Sequence, residues 1–266
     1  MSKAFLMTSL LTASLLVSGI GAVAQTPNSS PKKPESELRT VNQVIGQVCT
    51  FLESQKSFSV VMDITYDDVL TTGEKVQYSA YQKLWVEKPN RMRSYYVGDQ
   101  RITNFYYDGK TFTLESPELN HYATKAAPET LDAVLDQVDQ NYGITIPMSN
   151  LVATKTCADM MSDVWRTQFV GVDMVNRVPM YHILLSGKER DYQMWVTKDK
   201  QPLLRKAIIS YKNLPGSPQY TVLLSHWNFN PKTPDRVFTF TPPKDAVKIE
   251  FLPPTDASVV IEKPAK

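Results

Sequence analysis

Two periodicities divide the chain. Val41, Val44, Ile45, Val48 and Leu52 recur at intervals of three and four and form one apolar stripe, which predicts a helix from about Thr40 to Ser54. Thr40 with Gln43 resembles a capping box for that helix. From Phe58 the interval drops to two: Phe58, Val60, Met62, Ile64 and Tyr66 alternate with Ser59, Asp63, Thr65 and Asp67, the pattern of a half-buried strand. Thr72-Gly73 turns the chain into Val76, Tyr78, Ala80, Leu84 and Val86. Lys88-Pro89-Asn90, Gly98-Asp99, Asp108-Gly109 and Pro117 to Asn120 then punctuate four further short strands, so hairpin follows hairpin in a meander.

A helical interruption follows. Pro128 suits a first helical position, Glu129 and Asp132 favour the positive end, and Leu131, Val134, Leu135, Val138 and Tyr142 keep one stripe until Gly143 stops it. A further helix is expected from about Ser149 to Met161. Strands resume at Trp165 to Val172, Met180 to Ser186, Tyr192 to Val196, Leu203 to Tyr211 and Tyr220 to Phe229, with short pieces around Phe238 and Val247. The fold class is therefore α+β, mainly β: about eleven antiparallel strands, with an N-terminal helix and a helical insertion to cover one face. A sheet of that size tends to curl into a barrel or half-barrel.

The ends of the chain read differently. Lys3, the apolar run through Leu10, Leu11, Leu15, Leu16 and Val17, and the triplet Ala22-Val23-Ala24 form a secretory signal cleaved near Ala24. Residues 25–38 are rich in Pro, Ser and charge and read as a flexible leader, 39–252 as a single domain, and 253–266 as a flexible tail. The location expected is the periplasm or outside the cell, and the chain is not an integral membrane protein. The formal charge of the whole chain, +2, becomes +1 once the leader with Lys3 is gone. So even a balance excludes nucleic acid as a partner, which demands a clustered basic surface. Only two cysteines occur, Cys49 and Cys157, and in an oxidising compartment they either pair or remain as two buried thiols.

Candidate chemistry is sparse. His121, His182 and His226 each stand alone in strand-like sequence, without a second His or Cys at metal-ligand spacing, so no metal site is expected. There is no Gly-x-Ser-x-Gly elbow, Walker loop or dinucleotide fingerprint, and no cofactor is implied. Asp67 and Asp68 are adjacent, but successive strand residues face opposite ways and do not make an acid–base pair. No catalytic residue is named and enzymatic activity is not expected. Aromatic residues crowd the first meander and methionines are spread through the domain, suiting either ordinary sheet core or the lining of a gap for apolar guests. Burying one methylene contributes about 0.8 kcal/mol, so an acyl chain needs no charged site to be held.

The stretches FSVVMDITYDDVLTTGEKVQYS (58–79), FYYDGKTFTL (105–114), YGITIPMSNL (142–151) and PQYTVLLSHWNFNPKTPDRVFTFTPP (218–243) resemble the domain of unknown function 2092 family of exported bacterial proteins, with FYYDGKT and FTFTPP the most specific pieces. That family is in turn distantly similar to the periplasmic lipoprotein carriers of the LolA and LolB type. The resemblance implies an incomplete antiparallel barrel whose concave apolar face, covered by helices, receives acyl chains. For the lid-closing Arg of those carriers, Arg91, Arg93 and Arg101 are equal candidates.

These readings converge on a non-enzymatic periplasmic protein that binds a lipid, an acyl chain or a lipidated protein in the hollow of a half-barrel. Met62, Ile64, Tyr66 and Tyr78 are the candidate lining residues, chosen for their period-two placement on apolar faces. The alternative is an envelope sensor or interaction module that binds another envelope protein. A hydrolase ranks third.

Overall fold

The computed structural model describes residues 35–146, 148–154 and 158–253, and these fall in one unit spanning Pro34–Lys266. The chain opens with α1 (Glu35–Ser54). A first meander follows: β1 (Ser57–Val69), β2 (Lys75–Glu87), β3 (Arg91–Gly98), β4 (Ile102–Tyr107), β5 (Thr111–Ser116) and β6 (His121–Ala126). After α2 (Leu131–Tyr142) and the one-turn α3 (Ala158–Met161) comes a second meander: β7 (Val164–Val175), β8 (Val178–Gly187), β9 (Arg190–Val196), β10 (Leu204–Tyr211) and β11 (Gln219–Asn228). The two-residue β12 (Val247–Lys248) closes the order. All twelve strands belong to one curved, open sheet ordered β12-β6-β5-β4-β3-β2-β1-β11-β10-β9-β8-β7.

Strand β1 makes this one sheet rather than two. It pairs with β2 along its whole length and with β11 on its other side, both antiparallel, bringing Met62 opposite Gln82 and Leu224, Ile64 opposite Ala80 and Val222, and Tyr66 opposite Tyr78 and Tyr220. Side chains alternate between faces along a strand, so these even-numbered residues share one inner face. Phe58, Val60, Met62 and Ile64 are buried there in the same apolar cluster as Val41, Val44, Ile45, Val48 and Leu52 of α1 and Val134 and Val138 of α2.

The local chemistry of both covering helices is legible. At the end of α1 the Leu52 carbonyl accepts from the Gln55 N–H at 3.3 Å and from the Lys88 ammonium at 3.1 Å. In α2, the Thr130 hydroxyl caps the Ala133 N–H, and Gly143 ends the helix in the left-handed conformation, φ 62°, with its N–H on the Asp139 and Val138 carbonyls. Cys49 sits on the buried stripe of α1 and is disulfide-bonded.

The outer face of the first meander is covered by the chain's own C-terminal portion. The Phe240 ring packs 5.2 Å from that of Tyr106 and 4.9 Å from that of Tyr122, and Phe238 is buried with the Arg91 guanidinium beside it. β12 then adds to β6 in parallel, and Phe251 reaches Phe112 and Tyr142.

Several sequence expectations need adjustment. Twelve strands replace about eleven. The first helix begins at Glu35 instead of Thr40, because Glu35, Glu37, Leu38 and Arg39 are good helix formers; it takes in the end of the expected leader, and Thr40 is an interior position, not a cap. Pro128 precedes α2 by three residues and its carbonyl accepts from the Tyr107 hydroxyl at 2.6 Å. The single helix expected over Ser149–Met161 is a 3-10 turn, Ser149–Leu151, and the separate α3. The piece around Phe238 is the end of another 3-10 turn, Asp235–Val237, held by Phe238 N–H to the Asp235 carbonyl. The signal sequence, most of the leader, Cys157 and all but the first residue of the tail lie outside the described residues.

Phe58 is fully buried where β1 meets α1, with its ring 5.7 Å from Trp227 and 6.5 Å from Phe229. Phe58→Ala is expected to lower the unfolding free energy by about 3–5 kcal/mol, read from the urea midpoint at unchanged slope; a loss below about 1 kcal/mol would contradict this packing.

Candidate functional site

Between the second meander and its roof lies a cavity of about 370 Å³. Its floor is built by period two. On β9 and β10, Met194 faces Ala207 and Tyr192 faces Ile209, while Ile209 is in turn opposite Tyr220 of β11. An irregularity in register between Leu204 and Lys206 brings Leu204 onto the same side as Ala207, where strict alternation would have sent it outward. The roof is made by Val48 and Leu52 of α1 together with Ile146, Met148 and Leu151 from the segment that follows α2.

The lining changes character along the strands. Deepest are Leu204, Ala207 and Met194. One step outward, a cross-strand row runs Tyr192, Ile209, Tyr220, Tyr66 and Tyr78; a further step outward, Arg190 is opposite Tyr211. From Ala207 to Tyr211 the strand climbs about 13 Å, so the passage from aliphatic to phenolic to guanidinium groups spans that distance. Arg101, in the turn between β3 and β4, reaches the same hollow from the other half of the sheet.

The phenols are neutral donors. Burial pushes the Tyr220 hydroxyl far above the ordinary tyrosine range, and that hydroxyl is buried with no hydrogen-bond partner among the described residues. Burial raises Tyr211 as well, against the pull of the Arg190 guanidinium, which lies 5.3 Å from its ring centre. Tyr66 is pushed up to about 12 by burial and then by Tyr96, and its hydroxyl donates to the Gln100 Oε1 at 2.8 Å.

A second hollow of about 310 Å³ lies over the first meander, lined by Ser94, Tyr96, Thr103, Phe105 and Leu114, and it shares Arg101, Thr145 and Ile146 with the first. The segment after Gly143 therefore divides the inner face into two compartments. A polar cleft outside it carries Asp132, Asp136 and Asp139 of α2 with Arg190.

Of the four candidate lining residues, Met62 and Ile64 are buried in the packed floor between the hollows, and neither lines the 370 Å³ cavity. Tyr66 and Tyr78 are half-buried with rings 5.8 Å apart, on the row that continues into Tyr220. Arg91 and Arg93 project to the outer face: Arg91 pairs with Asp235, and Arg93 lies 3.5 Å above the Tyr106 ring with its NH2 group on the Asn104 Oδ1. Arg101 alone of the three lines the hollow. Met194, Ile209 and Tyr220 are signalled in the sequence only as members of alternating strands, and Arg190 carries no signal. Among the described residues no three His, Cys, Asp or Glu side chains gather as a metal site would require. His182 is stacked on Trp195 at 4.0 Å, with its Nδ1 2.7 Å from the Asp173 carboxylate.

The fold and site define a class: a mainly β, open antiparallel sheet with helices over one face and an apolar hollow beneath them. The chain belongs to the DUF2092 family, described as a predicted periplasmic protein, whose profile matches residues 41–252. No curated protein matches the sequence. Similar solved structures include an uncharacterised conserved protein from Thermus thermophilus, 7% identical, covering 79% of this chain and 99% of its own, at a TM-score of 0.44. Lipoprotein LppX of Mycobacterium tuberculosis is 14% identical, covering 71% and 96%, with a TM-score of 0.37. A LolA superfamily protein from Nitrosomonas europaea is 13% identical, covering 75% and 97%, with a TM-score of 0.36. Likeness at these values assigns no ligand to this chain. No helix among the described residues is long and apolar enough to cross a membrane.

The raised Tyr66 pKa has a sign. The folded chain favours the neutral phenol, so its stabilisation is complete below pH 10, the ordinary value, and is lost as the pH rises through about 12. Tyr66→Phe is expected to flatten part of the alkaline fall in unfolding free energy between those limits; identical pH profiles for the two proteins would count against the assignment.

Proposed function

We propose that this protein is a non-enzymatic periplasmic binding protein that holds an acyl chain in the hollow between α1 and the β9–β11 floor. The observation that carries the reading is the lining itself: aliphatic and methionine side chains, among them Val48, Leu52, Leu151, Met194 and Leu204, share the cavity wall with three tyrosines and two arginines. Water gains few partners in such a space, whereas each methylene buried there contributes about 0.8 kcal/mol before ordering is subtracted. Methionines at 148 and 194 adapt to chains of differing shape. At about 370 Å³ the cavity is at the small end of ligand pockets and suits one chain. Tyr66 and Tyr78 extend the rim, with Met62 and Ile64 as packing beneath it. We also propose that Cys49 pairs with Cys157, which would tie the roof helix to the segment before β7; alkylation under denaturing, non-reducing conditions is then expected to modify neither thiol.

A second reading, a protein-interaction module, draws on the free edge at β7, where Trp165 and Met174 are 69% and 68% exposed. Blocking the hollow separates the two. Ala207 is a small side chain on the cavity floor, so Ala207→Phe is expected to weaken binding of a fluorescent fatty acid at least tenfold while leaving the far-ultraviolet circular dichroism unchanged. Lipid extraction and mass spectrometry of the natively purified protein should return acyl species. Absence of lipid from the native protein, together with no fatty-acid binding by the folded chain, would remove the carrier reading and leave the β7 edge.

A further inference from the structure

We infer that the mouth of the hollow selects an amphiphile with an anionic head, gripped between Arg101 and Arg190 and receiving a hydrogen bond from the Tyr220 phenol. The inference rests on the acyl-chain reading above and adds to it the chemistry of the head.

Three observations converge. The lining of the hollow contains two guanidiniums and no carboxylate. Arg101 and Arg190 form no ion pair among the described residues; instead Arg101 is 5.7 Å from the centre of the Tyr96 ring and Arg190 is 5.3 Å from that of Tyr211. The Tyr220 hydroxyl, one row deeper, is a buried polar atom lacking a partner among the described residues. A buried donor left without an acceptor is unfavourable by about 1–3 kcal/mol, and an oxygen of an incoming head would satisfy it.

Position reinforces chemistry. The two arginines come from opposite halves of the sheet, Arg101 from the turn after β3 and Arg190 from the start of β9, so a head between them would be held on two sides. Guanidinium presents a planar fork that matches a carboxylate or a phosphate. The acids in the neighbourhood lie outside the hollow: Asp132, Asp136 and Asp139 share the adjoining cleft with Arg190, and Asp99 acts on Tyr66. A neutral head would bring no charge to either guanidinium, and a cationic head would be repelled. Because both arginines are exposed, water and salt weaken their pull, and the preference is expected to be modest and sensitive to salt.

The test uses the full chain freed of bound lipid, with cis-parinaric acid and its methyl ester as probes of equal chain length. At low ionic strength the acid is expected to bind about tenfold more tightly than the ester, and Arg101→Ala combined with Arg190→Ala should bring the ratio of the two affinities, measured in the same variant, to one. Arg101→Lys with Arg190→Lys should keep a preference for the acid, separating charge from folding, and Tyr220→Phe should reduce it. Competition by dodecyl phosphate and by laurate then tells a phosphate head from a carboxylate, with dodecanol as the neutral control. Equal binding of acid and ester by the unaltered protein overturns the head-group inference and leaves the acyl reading standing. Binding of neither probe overturns both.

Discussion

The antiparallel pairing of β1 with β11 is the constraint from which the remainder of the structure follows. It joins positions 154 to 169 residues apart in the sequence, and its register sets Met62 against Leu224, Ile64 against Val222 and Tyr66 against Tyr220. Because side chains alternate along a strand, a slip by one residue would send this entire set to the outer surface and expose it. Burial of the set beneath α1 therefore fixes the register, and the register places the two meanders side by side. Arg101 and Arg190, from opposite halves, thereby border one hollow. Pairing across so long a stretch of chain carries a larger loop-closure cost than the hairpins on either side of it.

The two most specific sequence pieces serve architecture more than binding. In FYYDGKT, Asp108 accepts from the N–H groups of Lys110 and Thr111, and Gly109 takes φ 91°, a conformation that side-chain-bearing residues rarely adopt. Tyr107 is buried and bonded to the Pro128 carbonyl, and Tyr106 faces outward under Phe240 of FTFTPP. The two pieces thus meet on the outer surface of the first meander through Tyr106 and Phe240, while Phe105 of the first piece lines the smaller hollow on the inner face. Asp108, Gly109, Tyr107 and Phe240 thus serve turns and packing.

Much of the fold can be read from periodicity. The stripe Val41, Val44, Ile45, Val48 and Leu52, the alternation from Phe58 to Tyr66, and the stop at Gly143 all describe what the backbone does, since burial on one face imposes a period that the side chains must follow. The segment from Ser149 to Met161 reads as one helix because its apolar content suits a helix, although the chain breaks there into separate turns. The hollow is less legible. Alternation places Met62 and Ile64 on the inner face, yet it does not say whether a given inward side chain meets another side chain or open space; that depends on where the roof is thin. Arg190 lies at the start of a strand among charged neighbours, Lys188 and Glu189, and only the pairing of β9 with β10 reveals what it borders.

The segment that follows Gly143 has a consequence for capacity. Thr145 and Ile146 are walls of both compartments at once. Moving that partition towards the first meander enlarges the chamber over the second and shrinks its neighbour by a similar amount, with little change in the total. A substitution that alters the bulk of either side chain therefore changes both volumes at once.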